Sequence, residues 1–184
     1  MSGPTADVSA RLAWAADAEM IAALQIKAWR HAYADVLTAD QLAGLDASAF
    51  ADEWRATIER PRDARSRVLV ALERVDMRGF ALVHPSTDPD GDPIADAEIG
   101  EFVVDPDRRG AGHGSRLLSA AVDTMRSDRF TRAQWWIGTE DDRLREFIAS
   151  TGWHTDGAHR ELMGESGERL KQIRLHTDLS GADG

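Results

Sequence analysis

The sequence predicts a mixed α/β domain, and three observations carry that expectation. Short runs rich in Val, Ile and Leu, bounded by Gly, Pro and Asp, have strand length, while longer stretches repeat apolar residues at helical spacing. The two kinds of segment alternate along the chain, as they do in α/β and α+β domains. With 184 residues, 42 % hydrophobic and 29 % charged, the composition is that of one globular domain rather than of a disordered or fibrous chain.

"SARLAWA" (9–15) reads as a first strand. "ADAEMIAALQIKAWRHAYADV" (16–36) places Met20, Leu24 and Ala28 on one helical stripe beside Ile21 and Trp29, with Asp17 at the N-cap position. Leu42, Leu45, Phe50, Trp54 and Ile58 predict one or two short helices broken near Gly44 and ended by Pro61. "SRVLVALE" and "FALVHPS" read as a hairpin joined by the turn "RVDMRG". The acidic "TDPDGDPIAD" is a loop, and "AEIGEFVVDP" is a strand stopped by Pro106. Leu117, Leu118, Ala121, Val122 and Met125 form the apolar face of a helix ending near Asp128. "RAQWWIG" is a strand, "DDRLREFIAST" a short helix stopped by Gly152, and 153–163 and 168–179 are two closing strands. Residues 1–184 form a single predicted domain, with 1–8 and 180–184 as tails.

The formal net charge of −10 disfavours nucleic acid and favours a cationic partner. With no cysteine, disulfides, thiolate metal sites and cysteine acyl-enzymes are excluded. His84, His113, His159 and His176 show no metal-ligand spacing, so no metal is predicted. "MSGPTADVSARLAW" lacks a signal-peptide core, and no run approaches 18 apolar residues, which predicts a cytoplasmic protein without a membrane span.

The stretch that carries chemistry is "VVDPDRRGAGHGSRLL" (103–118). Read as a dinucleotide fingerprint from Gly110, it has Ser115 where the third glycine belongs, and it is not a nucleotide P-loop. What remains is R-x-x-G-x-G at Arg109, Gly112 and Gly114, between a strand and an apolar helix. Glycines there let backbone N–H groups wrap an anion at a helix N-terminus, where the dipole adds about half a positive charge. The same three glycines could equally be a turn that starts a helix.

The run "AEIGEFVVDPDRRGAGHGSRLL" resembles the acetyl-CoA-binding motif of the GNAT superfamily of N-acetyltransferases. "REFIASTGWHTDG" is similar to that family's F-Y-x-x-x-G-F element at Phe147, Gly152 and Trp153, and "AWRHAYADVLTADQL" resembles its first helices. The resemblance implies a mostly antiparallel central sheet of about six to seven strands flanked by about four helices. It implies acetyl-CoA as cofactor, a primary amine of a small molecule or peptide as acceptor, direct transfer in a ternary complex, and often a homodimer. It assigns the cofactor pyrophosphate to the N–H groups of Gly110, Ala111, Gly112, His113, Gly114 and Ser115, with Arg109 supporting the loop. The pantetheine arm falls to the main chain of Phe102, Val103 and Val104.

An amine with pKa near 10.4 must lose a proton before it attacks, so a carboxylate is needed nearby. Glu98 and Glu101 are the candidates; on a regular strand they point to opposite faces, and a bulge between them would change that. Glu98 lies six residues before Val104, where the family often carries its base, and is the first choice; either residue could instead make an ordinary salt bridge. The Val104 N–H would stabilise the oxyanion. Trp29 and Tyr33 either line the acceptor cleft by cation–π contact or belong to the core. The family's usual acid, a tyrosine, is replaced by Ile148, and Tyr33 is the only tyrosine, which keeps open an inactive acyl-CoA-binding sensor as the rival function.

Overall fold

The computed structural model describes residues 8–34, 38–163 and 169–181, so the expected tails lie almost wholly outside it, and Val8 already opens a strand. Element order is β1 (Val8–Leu12), α1 (Ala18–Ala32), α2 (Ala39–Ala43), α3 (Ala47–Glu59), β2 (Arg67–Glu73), β3 (Asp76–Pro85), β4 (Asp96–Val104), α4 (His113–Ser127), β5 (Arg132–Gly138), α5 (Asp142–Ala149), β6 (His154–Met163) and β7 (Arg169–Asp178). The strand order is β1-β2-β3-β4-β5-β7-β6. The β1–β2, β2–β3, β5–β7 and β6–β7 pairs are antiparallel and β4–β5 is parallel. The mixed, mostly antiparallel sheet is as expected, and the fifth helix comes from the break at Gly44, which caps α2. Among the described residues no helix is long and apolar enough to cross a membrane.

The described chain divides into two compact units, one comprising residues up to Val83 and Glu101–Thr124, the other His84–Gly100 and Met125 onward. In the first, α1 and α3 pack on β2 and β3 around Ile21, Ala22, Leu24, Trp54, Val68, Val70 and Phe80. Trp54 stands edge-on to Phe80, and its indole N–H donates to Gln25 Oε1 at 2.7 Å, satisfying two buried polar groups at once. The expected α1 stripe is rotated: Met20 is 40 % exposed, while Ala18, Ile21, Ala22, Leu24 and Gln25 face inward.

Three local expectations are corrected. β1 ends at Leu12, because Ala15–Asp17 forms a 3₁₀ turn. Asp17 stands at the N-cap of α1 without capping it; its carboxylate accepts the Trp14 N–H at 2.7 Å and both terminal nitrogens of Arg11 at 2.7 and 3.0 Å. Burial pushes that carboxyl up, but Arg11 and the Trp14 N–H outweigh it and hold it below the ordinary carboxylate value. The hairpin turn is only Arg74–Val75, because Glu73 already pairs with Asp76 and Arg74 takes a left-handed φ of 58°. The other residues assigned to the turn extend β3 past a register shift at Ala71/Leu72.

In the second unit β7, the last of the described strands, lies between β5 and β6. Ala97, Ile99, Ala133, Trp135, Ile137, Ile148, Trp153 and Leu175 are buried there, and Trp135 meets Trp153 edge-to-face at 6.0 Å. "RAQWWIG" forms β5 over the residues expected, with Trp135 inward and Trp136 on the opposite face, as alternation demands.

Candidate active site

In the first unit β4 runs into Asp105, a 3₁₀ turn at Pro106–Arg108, and then the glycines. Gly110 and Gly112 have φ of 82° and 85°, left-handed values that a side chain adopts only under strain. A Cβ at Gly110 would meet nothing within 4 Å, so glycine is required there by backbone conformation rather than by space. α4 starts at His113, and the Arg116 N–H already bonds Gly112 C=O. By helix geometry the N–H groups of the three preceding residues have no intrahelical acceptor. His113 is 1 % exposed with both ring nitrogens unpartnered, and Arg108 and Arg109 are exposed without an ion pair among the described residues. Unmatched donors, a helix N-terminus and two free cations together suit a phosphate-bearing ligand.

Asp105 anchors this turn. Its buried carboxylate takes Lys27 Nζ of α1 at 2.6 Å and the Asp107 N–H at 3.1 Å, and lies 3.6 Å from Arg78 of β3. Burial pushes the Asp105 carboxyl up, and the Lys27 hydrogen bond, the Asp107 N–H and the charges of Lys27 and Arg78 hold it below the ordinary value. On β3, Gly79 permits close approach to the same strand, since an added Cβ would stand 2.8 Å from Val103 O. Asp105→Asn is expected to cost about 1–3 kcal/mol, measured by denaturant unfolding, because it removes charge-assisted bonds from a buried acceptor while leaving its shape.

Phe102, Val103 and Val104 are half-buried at the end of β4. The β4–β5 ladder runs from Asp96↔Arg132 to Ile99↔Trp135 without a register shift, so Gly100–Val104 extend β4 beyond its last β5 partner. Glu101 is half-buried with neither hydrogen bond nor ion pair among the described residues, and burial pushes its carboxyl up. Trp29 stands edge-on to Tyr33 at 6.4 Å and to Phe50 at 5.3 Å; Tyr33 is 43 % exposed.

In the second unit Glu98 is buried, and its Oε2 accepts both the Thr87 N–H and the Thr87 hydroxyl at 3.1 Å. Oε1 has no hydrogen-bond partner among the described residues. Beside it on β5, Gln134 is fully buried and accepts the Ser86 hydroxyl at 3.0 Å, and its Nε2 has no hydrogen-bond partner among the described residues. Ile148 is 0 % exposed, a core side chain, and the Ser150 hydroxyl donates to Phe147 C=O at 2.6 Å. His154 is exposed on β6, opposite His176 of β7.

Sequence reasoning missed Thr87, Lys27 and the anchoring carboxylate Asp105. Lys27 and Asp105 are 78 positions apart, and no local pattern links them. The signal that finds Asp105 is its place before a turn, where a carboxylate ordinarily caps the following N–H groups, as it does here with Asp107.

The model of the Acetyltransferase (GNAT) family matches residues 14–153. No curated protein matches the chain in sequence. Among solved structures, the Vibrio fischeri ribosomal-protein-S5-alanine acetyltransferase aligns over 100 % of both chains at 15 % identity and a TM-score of 0.75. The Thermoplasma acidophilum paia N-acetyltransferase, in complex with coenzyme A, covers 97 % of this chain and 99 % of its own at 14 % identity and a TM-score of 0.71. The Salmonella typhimurium protein yncA, solved with its cofactor acetyl-CoA, covers 97 % of each at 21 % identity and a TM-score of 0.69. At these identities the likeness establishes the fold.

Proposed function

The chain belongs to the GNAT acetyltransferase family, and on that premise we propose that it moves an acetyl group from acetyl-CoA to a primary amine of a small molecule or peptide, directly, while both are bound. The observation that carries the reading is the Gly110–Ser115 turn, with two left-handed glycines and unmatched N–H groups at the start of α4. These donors hold the pyrophosphate, with Arg109 beside them. The main chain of Phe102–Val104 pairs with the pantetheine arm as an added strand. Bound acetyl-CoA supplies a thioester, an activated acyl group whose thiolate leaves without strong assistance because a thiol has pKa near 8.5.

The chain then has three tasks. A carboxylate removes the amine proton, and Glu98 serves, its Oε2 held by the two Thr87 donors while Oε1 accepts. The Val104 N–H steadies the developing oxyanion. Trp29 and Tyr33 present aromatic faces to a cationic acceptor. One observation favours a second base: burial raises the Glu101 carboxyl, the direction a base working near neutral pH requires.

Ile148 in the core and Ser150 tied to a backbone carbonyl provide no general acid, and this keeps the sensor reading as the rival. The test is release of free CoA across polyamines, aminoglycosides, lysine and N-terminal peptides, the last suggested by the S5-alanine acetyltransferase neighbour. Turnover with any acceptor supports the enzyme. Tight acetyl-CoA binding with no turnover on the whole panel would leave the sensor. Gly112→Ala is expected to weaken acetyl-CoA binding about tenfold in calorimetry, because a side chain at φ 85° costs about 1–2 kcal/mol and the turn relaxes away from it.

A further inference from the structure

A second cavity stands out in the molecule, and it lies wholly within the second unit. A pocket of about 490 Å³ is bordered by Asp88 and Asp90 of the loop after β3, Trp136 of β5, His159 and Arg160 of β6 and Arg174 of β7. Its two arginines differ in kind. Arg174 is neutralised by two carboxylates, with Nη1 on Asp88 at 2.8 Å and Nε on Asp156 at 2.7 Å. Arg160 donates only Nε, to Gln172 Oε1 at 2.7 Å, and its guanidinium lies 4.3 Å over the Trp136 ring. Nη1 and Nη2 of Arg160 have no acceptor among the described residues, and no carboxylate there comes within ion-pair distance.

A half-buried cation without a counter-ion is unfavourable, and burial pushes the Arg160 guanidinium down while Glu98 and Asp88 oppose this only through space. Stacking on Trp136 fixes the guanidinium plane and leaves the Nη edge as a preset fork for a carboxylate. The same pocket carries Asp90, exposed, with its carboxylate unpaired among the described residues. Acidic groups at the rim repel a dianion such as phosphate and attract an ammonium. We propose that this pocket binds a small ligand bearing both a carboxylate and an ammonium, the α-amino acid class, with the carboxylate on the Arg160 Nη edge and the ammonium toward Asp90.

Binding here does not rest on acetyl transfer, so it is measured directly on the full chain. The twenty protein amino acids are screened singly by saturation-transfer NMR, followed by calorimetry of the tightest binder, its primary amide, its deaminated acid and inorganic phosphate. The expected result is binding of the amino acid, with the amide and the deaminated acid each weaker by about tenfold or more, since each loses one charge-assisted contact. Arg160→Gln is expected to cost at least about tenfold in the same assay, and Asp90→Asn to weaken the amino acid but not the deaminated acid. Thermal melts establish that both variants fold. If Arg160→Gln does not fold, Arg160→Lys keeps the charge without the planar fork and is still expected to bind more weakly. The proposal is overturned if no amino acid binds, if the amide binds as well as its parent, if phosphate is preferred, or if folded Arg160 variants retain full affinity.

Discussion

Glu98→Gln is expected to lower kcat by about two to four orders of magnitude, the usual contribution of a positioned general base, with acetyl-CoA affinity near that of the wild type. The amide keeps the shape of the carboxylate and can still accept from Thr87, so the loss isolates proton removal from packing. Glu101→Gln is expected to be much milder. The reverse ranking would move the base to Glu101, and pH then adds a second discriminator. A base works deprotonated, so kcat/KM falls as pH drops through its pKa; with Glu101 as base that fall lies above the ordinary Glu value near 4.3, because burial raises its carboxyl. Equal, small losses from both substitutions would remove β4 carboxylates from the mechanism.

Arg174→Ala is expected to destabilise the protein by about 3–5 kcal/mol, roughly ten degrees in Tm for a chain of this size, because it breaks a buried ion pair from one side. Arg174 pairs with both Asp88 of the β3–β4 loop and Asp156 of β6, and its side chain is 12 % exposed. Burial pushes the Asp88 and Asp156 carboxyls up, while N–H donors and Arg174 hold both below the ordinary value. In the wild type that stability is present above the unfolded carboxyl pKa, about 4, and is lost as pH falls through the lower folded values. Without Arg174 the buried carboxylates bind protons more readily, so the gap between variant and wild type is expected to narrow from pH 7 to pH 4. A gap that stays constant would mean that Arg174 acts through packing of its stem and not through charge.

The parts of the molecule legible in the sequence are those that local physics fixes. β5 needed only alternation and flanking turns, and the glycine turn needed only spacing, since left-handed backbone at Gly110 and Gly112 is a property of those residues themselves. The hairpin turn is shorter than the sequence predicts, because Arg74 takes a left-handed φ that propensity assigns to Gly or Asn and so closes the turn in two residues. The α1 face was rotated because Gln25, polar by type, is buried by its bond to Trp54 twenty-nine positions on. The Arg160 pocket left no local trace, being assembled from a loop and three strands whose arginine and aspartate, Arg174 and Asp88, lie 86 positions apart.

The position of β7 bears on biosynthesis. It follows β5 and β6 in the chain, yet it supplies the partner for both β5, through Arg132↔Asp178 to Gly138↔Gln172, and β6. While β7 is still inside the ribosome, β5 and β6 each have an open backbone edge facing the place β7 will occupy, and open edges recruit other strands. The second unit therefore cannot close until β7 has emerged, and a nascent chain halted after β6 leaves both β6 and the tryptophan-bearing β5 without their β7 partner. Protection of these edges during that interval bears on yield rather than on the stability of the finished fold.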